Sequence, residues 1–485
     1  MPPEAIPMTH YTRRAFLNSL AGSAIAAALP TLTSCTTQSP SSSPGARKPN
    51  IIFILADDLG YGDLGCYGQQ QIKTPNIDKL AAQGTRFTSA YAGSTVCAPS
   101  RCALMTGLHM GHAYIRGNSK INLRPDDLTV AEILKSAGYT TALVGKWGLG
   151  HENSPGTPNK KGFDFFYGYL DQTHAHNSYP TFLIRNESRI KLRNVVPKEG
   201  KEGQGAATEK IDFSNDLMAD EALVFIDRSK DKPFFLYYSP TIPHANNEAN
   251  TIDVPDLGIY KDLDWPEPQK RHAAVITRMD SYVGRILQKL KDLGLDDNTI
   301  VFFTSDNGPH KEGGNKPDFN RSSGPLRGLK RDLYDGGIRV PMIVRFPGQT
   351  PPNTVSDQPW AFWDFLPTAA ALAGAKPPQN LDGLSMLPAI LGQPQTKQHE
   401  YLYWEFHEGG FKQAIRMNNW KAVRLGTKQP IELYDLSSDI GEKKNLAAEH
   451  PDIVNKIAPL FATARADSKE FPIKEPARKP ATQPA

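Results

Sequence analysis

Continuous apolar runs of strand length recur along the chain and alternate with stretches whose apolar positions fall at helical spacing. NIIFILA at residues 50–56, TTALV at 140–144, PFFLYYS at 233–239 and TIVFFT at 299–304 have no polar face, the pattern of strands buried on both sides. Between them, residues 76–83, 129–137, 216–227 and the long amphipathic stretch 272–293 predict helices. Strand alternating with helix predicts an α/β fold, a mostly parallel central sheet sandwiched by helices. From about Trp363 the pattern changes. Residues 364–373 look helical, then YLYWEF, QAIRM, WKAVRL and IELYDL alternate like a small antiparallel sheet. The expected organisation is a main domain of 49–362 and a smaller C-terminal α+β subdomain of 363–470.

In sheets of this kind the ligand site lies beyond the carboxyl ends of the strands, and there the chain places its polar motifs. The first run ends in Asp57-Asp58 and the second in Gly145-Lys146-Trp147, while the third leads to Pro243-His244 and the fourth to Ser305-Asp306-Asn307-Gly308. A single Asp after a strand is ordinarily a turn or helix-cap residue. Three Asp and one Asn at two strand ends are different, because crowded carboxylates repel unless a cation sits among them. A donor set of hard oxygens predicts calcium, with magnesium second, rather than zinc. Lys146 and His244 would then face an anionic substrate. A surface lysine is the plain alternative for Lys146, but its tight Gly145-Lys146-Trp147-Gly148 setting favours a directed side chain.

The stretch STVCAPSRCAL at 94–104 holds two of only four cysteines. Residues 100–106 can begin a helix with Cys97 near its N-terminus, where a thiol would have a lowered pKa and could act as a nucleophile. The alternatives are inert packing and a disulfide. A bridge from Cys97 to Cys102 is sterically awkward, whereas one to Cys66 stays open.

Composition narrows the partners. With 55 Lys and Arg against 51 Asp and Glu the net charge is +4, and no dense basic stripe appears, which argues against nucleic acid. Thirty-nine Gly and forty Pro suit a protein whose chemistry sits on loops. The N-terminus, Thr12-Arg13-Arg14-Ala15-Phe16-Leu17 followed by a small apolar run, resembles a twin-arginine export signal occupying residues 1–35. Leu32-Thr33-Ser34-Cys35 resembles a lipoprotein cleavage box in which Cys35 is lipidated, and residues 36–48 read as a Ser/Pro-rich tether. The protein is therefore expected to be exported to the periplasm or outer membrane of a bacterium. Residues 471–485, rich in Pro and Lys, are expected to be a disordered tail.

Cys97-Ala98-Pro99-Ser100-Arg101, continuing through Cys102-Ala103-Leu104-Met105-Thr106-Gly107, resembles the C-x-P-S-R-x-x-L-x-T-G signature of the type I sulfatases, in the alkaline phosphatase superfamily. Asp57-Asp58-Leu59-Gly60-Tyr61-Gly62-Asp63, Gly145-Lys146-Trp147, Pro243-His244, Ser305-Asp306-Asn307-Gly308, and Lys330 ahead of Asp335-Gly336-Gly337 join it in the family's order. The resemblance implies that a maturation enzyme oxidises Cys97 to formylglycine, whose hydrate attacks the sulfur of a sulfate ester in line and then expels sulfate. It implies calcium held by Asp57, Asp58, Asp306, Asn307 and the group at 97. Arg101 would steady the diol, Lys146 and Lys330 would clamp sulfate oxygens, and His244 would serve the leaving oxygen. Many relatives carry a histidine two residues after the lysine, where this chain has Gly148. His151, His174 and His176 are candidates to replace it, with His310 further off, and His176 is favoured because His-x-His before Tyr-Pro suits a pocket wall. The expected substrate is a sulfated carbohydrate. The rival readings are a phosphodiesterase or phosphonate hydrolase, and a lipid-anchored glycan-binding protein without catalysis.

Overall fold

The structure, a computed structural model, describes residues 47–475. The export signal, Cys35 and nearly all of the tether lie outside the described residues. The strands, in chain order, are β1 (Asn50–Ala56), β2 (Thr85–Phe87), β3 (Ala90–Tyr91), β4 (Thr140–Lys146), β5 (Phe165–Tyr169), β6 (Phe182–Arg185), β7 (Ser188–Lys191), β8 (Phe234–Ser239), β9 (Thr299–Ser305), β10 (Met342–Arg345), β11 (Thr354–Ser356), β12 (Trp360–Ala361), β13 (Leu402–Phe406), β14 (Lys412–Met417), β15 (Trp420–Arg424) and β16 (Glu432–Asp435). Ten of them form one sheet in the order β11-β2-β10-β9-β1-β8-β4-β5-β6-β7. Its centre, β9-β1-β8-β4-β5, is parallel throughout, and the antiparallel pairs are confined to the flanks.

All four apolar runs are central strands. Each feeds both faces, as the period of two requires. In β1, Ile51, Phe53 and Leu55 point into one core and Ile52, Ile54 and Ala56 into the other. The second face is covered by α1 (Pro75–Ala82), α4 (Ser214–Ser229) and the long α5 (Glu267–Asp292). The first is covered by α2 (Cys97–Thr106), α3 (Val130–Ser136) and the helix Phe365–Ala373.

The C-terminal strands form a four-stranded antiparallel sheet, β13-β14-β15-β16. Trp404, Phe406, Ala414, Val423 and Tyr434 on one of its faces join the first core, and Tyr403, Ile415, Met417, Ala422 and Leu433 pack with Ile457 and Phe461 on the other. The change of pattern near residue 363 is therefore not a change of core: Phe365 lies 4.3 Å, ring to ring, from Phe53 of β1. The Trp404 indole donates to the carbonyl of Ala92, 2.9 Å away, so this sheet buttresses the loop that leads into Cys97. The described part of the expected tail, residues 471–475, packs on the fold: Phe471 is buried beside His407 and the Lys474 carbonyl accepts a hydrogen bond from the Phe411 amide.

Candidate active site

The carboxyl ends of β1, β9, β8 and β4 lie side by side and deliver Asp57 and Asp58, Asp306 and Asn307, His244, and Lys146 to one point. Lys146 is the last residue of β4, two beyond the expected end, and is fully buried. The Asp57 amide donates to the Ile242 carbonyl at 2.8 Å, which ties the Asp pair to the His244 loop. Asp58 takes a left-handed backbone (φ 69°), and its amide donates to Asp306 Oδ1 at 3.1 Å. Strand pairing thus places two motifs that are some 250 residues apart within one hydrogen bond. The amide of Leu59 donates to Ser305 Oγ and fixes the turn.

Cys97 opens α2, and Arg101 lies one turn on along the same helix face. The Arg101 guanidinium is fully buried and fully engaged. Its Nε and Nη2 donate to Asp306 Oδ2 (3.1 and 2.8 Å), and its Nη1 donates to the Lys146 carbonyl (2.7 Å) and to Ser239 Oγ. Lys146 Nζ donates to Asp57 Oδ2 and Lys330 Nζ to Asp58 Oδ2, each at 2.7 Å. Atoms of Asp57, Asp58, Cys97 and His244 lie within 4.8 Å of one another.

Three buried carboxylates here face three buried cations, Arg101, Lys146 and Lys330. Burial pushes the Asp57 and Asp58 carboxyls up, but Lys146 beside the first and Lys330 beside the second outweigh it and hold both below the usual range. Asp306 is the exception, pushed up to about 7 by burial and by the Asp57 charge. Charge is thus matched three against three, and the case for a further cation rests on two oxygens: Asp57 Oδ1 and Asn307 Oδ1 are buried and have no hydrogen-bond partner, while Asn307 Nδ2 is used up on Asp58 Oδ1 and the Gly308 carbonyl. Buried acceptors without donors are uncommon, and a hard cation satisfies them.

The structure corrects the expected thiolate. Cys97 is 2 % exposed, and burial pushes its thiol up to about 11 in spite of Lys146 and Lys330 nearby. An unmodified Cys97 is a poor nucleophile here. Cys66, Cys97 and Cys102 are all free, so neither disulfide forms.

The histidines separate cleanly. His244 Nδ1 donates to the Ala245 carbonyl, which leaves Nε2 as the acceptor facing Lys330 Nζ at 3.3 Å. Burial, and Lys330 beside it, lower its pKa to about 3, so the ring is neutral. His176 stacks on His244, with ring centroids 4.9 Å apart and planes 11° apart, and Nδ1 faces Glu248 at 3.3 Å. His174 is not at the site: it is packed between Tyr169 and Phe182. His151 is held by Asn122 and Asp171, and His310 lies behind His244, donating from Nε2 to the Pro243 carbonyl.

The sequence reading missed several participants. Ser239, the last residue of β8, orients Arg101 with strand-end position as its only signal, and Ser305, named within its motif but given no role, fixes the Asp58 turn. Glu312 approaches Lys330 (3.5 Å) and bonds Arg331, and no local pattern marks it. Gln172 fills the space beside Gly148. A Cβ at residue 148 would lie 2.1 Å from Gln172 Nε2.

A family model described as sulfatase matches residues 49–375, and one described as N-sulphoglucosamine sulphohydrolase, C-terminal, matches 329–464. The chain is 32 % identical to an N-acetylgalactosamine-6-O-sulfatase of Bacteroides thetaiotaomicron, covering 87 % of this chain and 94 % of the relative. It is 31 % identical to human arylsulfatase A, with 86 % and 87 % covered. A solved structure described as Ps i-CgsB in complex with k-i-k-neocarrahexaose superposes with a TM-score of 0.74 at 31 % identity, covering 86 % of this chain and 93 % of the other.

Proposed function

The chain belongs to the sulfatase family and is a sulfuric ester hydrolase, and we propose that it desulfates a carbohydrate through formylglycine made from Cys97, with calcium held by Asp57, Asp58, Asp306, Asn307 and the group at 97. The names of two relatives support the carbohydrate, one an N-acetylgalactosamine-6-O-sulfatase and the other a structure bound to a neocarrahexaose. The observation that carries the metal is the pair of partnerless buried oxygens, Asp57 Oδ1 and Asn307 Oδ1. Calcium held there would supply positive charge to offset the ester's anion and would acidify a coordinated hydroxyl. A formylglycine hydrate supplies a hydroxyl nucleophile where burial keeps the thiol protonated.

The remaining work falls to the chain's own side chains. Lys146 and Lys330 are held charged by Asp57 and Asp58 and can clamp sulfate oxygens as charge spreads in the transition state. Arg101 acts through Asp306 and is a positioning residue. His244 Nε2 carries no proton and accepts from Lys330 Nζ, so His244 serves the leaving oxygen by orienting the Lys330 ammonium, which stays charged and can donate a hydrogen bond to that oxygen. His176, stacked on His244 and backed by Glu248, is placed to take the proton in sulfate release. Export by the twin-arginine route, maturation by a formylglycine-generating enzyme and lipidation of Cys35 complete the proposal.

Protein co-expressed with a formylglycine-generating enzyme should hydrolyse an aryl sulfate and then defined sulfated oligosaccharides. Chelation should abolish turnover and calcium restore it. A phosphodiester turned over faster than the sulfate would overturn the reading, as would full activity in the presence of chelator.

A further inference from the structure

Residue 148 lies two positions beyond Lys146, and pairing with the neighbouring strand runs on past the end of β4: the amides of Trp147 and Gly148 donate to the carbonyls of Tyr169 and Leu170 at 2.9 and 3.0 Å. Trp147 goes into the core, and the chain leaves the extended form at Gly148, two residues beyond the Lys146 whose Nζ donates to Asp57. Gly148 presents bare backbone at φ 81°, and the carboxamide of Gln172 lies against it, its Nε2 and Cδ 2.1 and 2.9 Å from where a Cβ would stand. The glycine is what admits the glutamine. Yet the amide itself is not satisfied: Nε2 and Oε1 are both buried and neither has a partner.

The residues around Gln172 are, by contrast, well tied. Asp171 accepts from the amides of Thr173 and His174 and faces His151 Nε2 at 3.1 Å. Four residues further on, His176 stacks on His244. The loop is anchored on both sides of Gln172 and ends in the site, while the carboxamide between has no protein partner. Asp57 Oδ1 and Asn307 Oδ1 carry the same signature of burial without a partner, and there the proposed cation would satisfy them.

We propose that Gln172 contacts the substrate, its Nε2 donating a hydrogen bond to an oxygen of the bound sulfate ester on the Lys146 side. This rests on the sulfatase reading and adds a neutral donor to it. A carboxamide neither gives up nor takes a proton in the working range, so it binds and orients the ester and leaves proton transfer to other side chains.

Gln172→Met keeps the volume and removes the donor; Gln172→Glu keeps the shape and adds a charge that repels sulfate. With an aryl sulfate as probe, kcat/KM of the Met variant should fall on the order of ten- to a hundredfold, the range for a hydrogen bond to a charged group. The inhibition constant of inorganic sulfate should rise in parallel and the melting temperature hold or increase, since an unpaired amide gives way to an apolar group. The Glu variant should lose more and recover in part as the pH falls through its carboxyl pKa. Met activity and sulfate affinity within twofold of native would overturn the proposal and leave Gln172 a packing residue, as would a lowered melting temperature with sulfate affinity unchanged. Calorimetric binding of inorganic sulfate needs no turnover. A native chain that binds sulfate but hydrolyses no ester therefore fails the functional reading, whereas native and Met chains binding sulfate alike fail this one.

Discussion

Arg101→Met removes a buried guanidinium that makes two hydrogen bonds to Asp306, one to the Lys146 carbonyl and one to Ser239. Met fills most of the volume, so the chief loss is the cation. Asp306 already sits at about 7 because burial and Asp57 oppose its charge, and Arg101 is its only side-chain ion-pair partner among the described residues. Breaking a buried pair from one side costs about 3–5 kcal/mol, because it strands the other charge. That is a large part of the ~5–15 kcal/mol by which folded domains are stable. The assay is urea unfolding at pH 7.5 in chelator, followed by circular dichroism. The single variant should unfold at markedly lower urea. Arg101→Met with Asp306→Asn should recover part of the loss, because the stranded charge has gone, and the two changes should be non-additive as contacting residues are. A native midpoint for the single variant, or strict additivity in the double, would refute the claim that Arg101 works by holding Asp306.

Calcium affinity should rise about tenfold per pH unit toward pH 7 and level off above it, because the ion must displace the Asp306 proton; calorimetry in buffers of different ionisation heat should show about one proton released below pH 7. In the metal-free protein the raised Asp306 carboxyl gives stability that is fully present below its unfolded value of 3.8 and lost as the pH rises through about 7, so chelated protein should melt lower at pH 8 than at pH 5 as far as this group is concerned. Cys97→Ala should abolish turnover with little change in melting temperature. Cys102→Ala, at a fully buried position on α2, should retain turnover per folded molecule and lose about 1 kcal/mol of stability. Deleting residues 471–485 removes a Phe471 that is 8 % exposed and should cost about 1.5–3 kcal/mol; an unchanged unfolding midpoint would contradict its packing role.

The core of the fold was legible because buried parallel strands carry their signal locally. NIIFILA needs no partner to be recognised, and β1, β4, β8 and β9 appear within two residues of their expected ends. The flanking strands were not. β2 and β11 have three residues each, and β6 and β7 mix charge with apolar positions. Their strand state comes from the neighbour they pair with. The same division runs through the site. Asp57, Asp58, Asp306 and Asn307 announce themselves as a set, while Ser239, Glu312 and Gln172 matter only because the chain returns to the same point from distant loops. The pKa of Cys97 was misjudged for a related reason: the N-terminus of a helix lowers a thiol's pKa, but here burial dominates, and burial is a property of the assembled core.

The most direct test is the mass of the peptide containing Cys97, from chain produced with a competent maturation enzyme. Replacing sulfur by oxygen with loss of two hydrogens should make it lighter by about 18 Da, and the extent of conversion should track specific activity across preparations. A fully active preparation whose Cys97 still carries its thiol would contradict the mechanism.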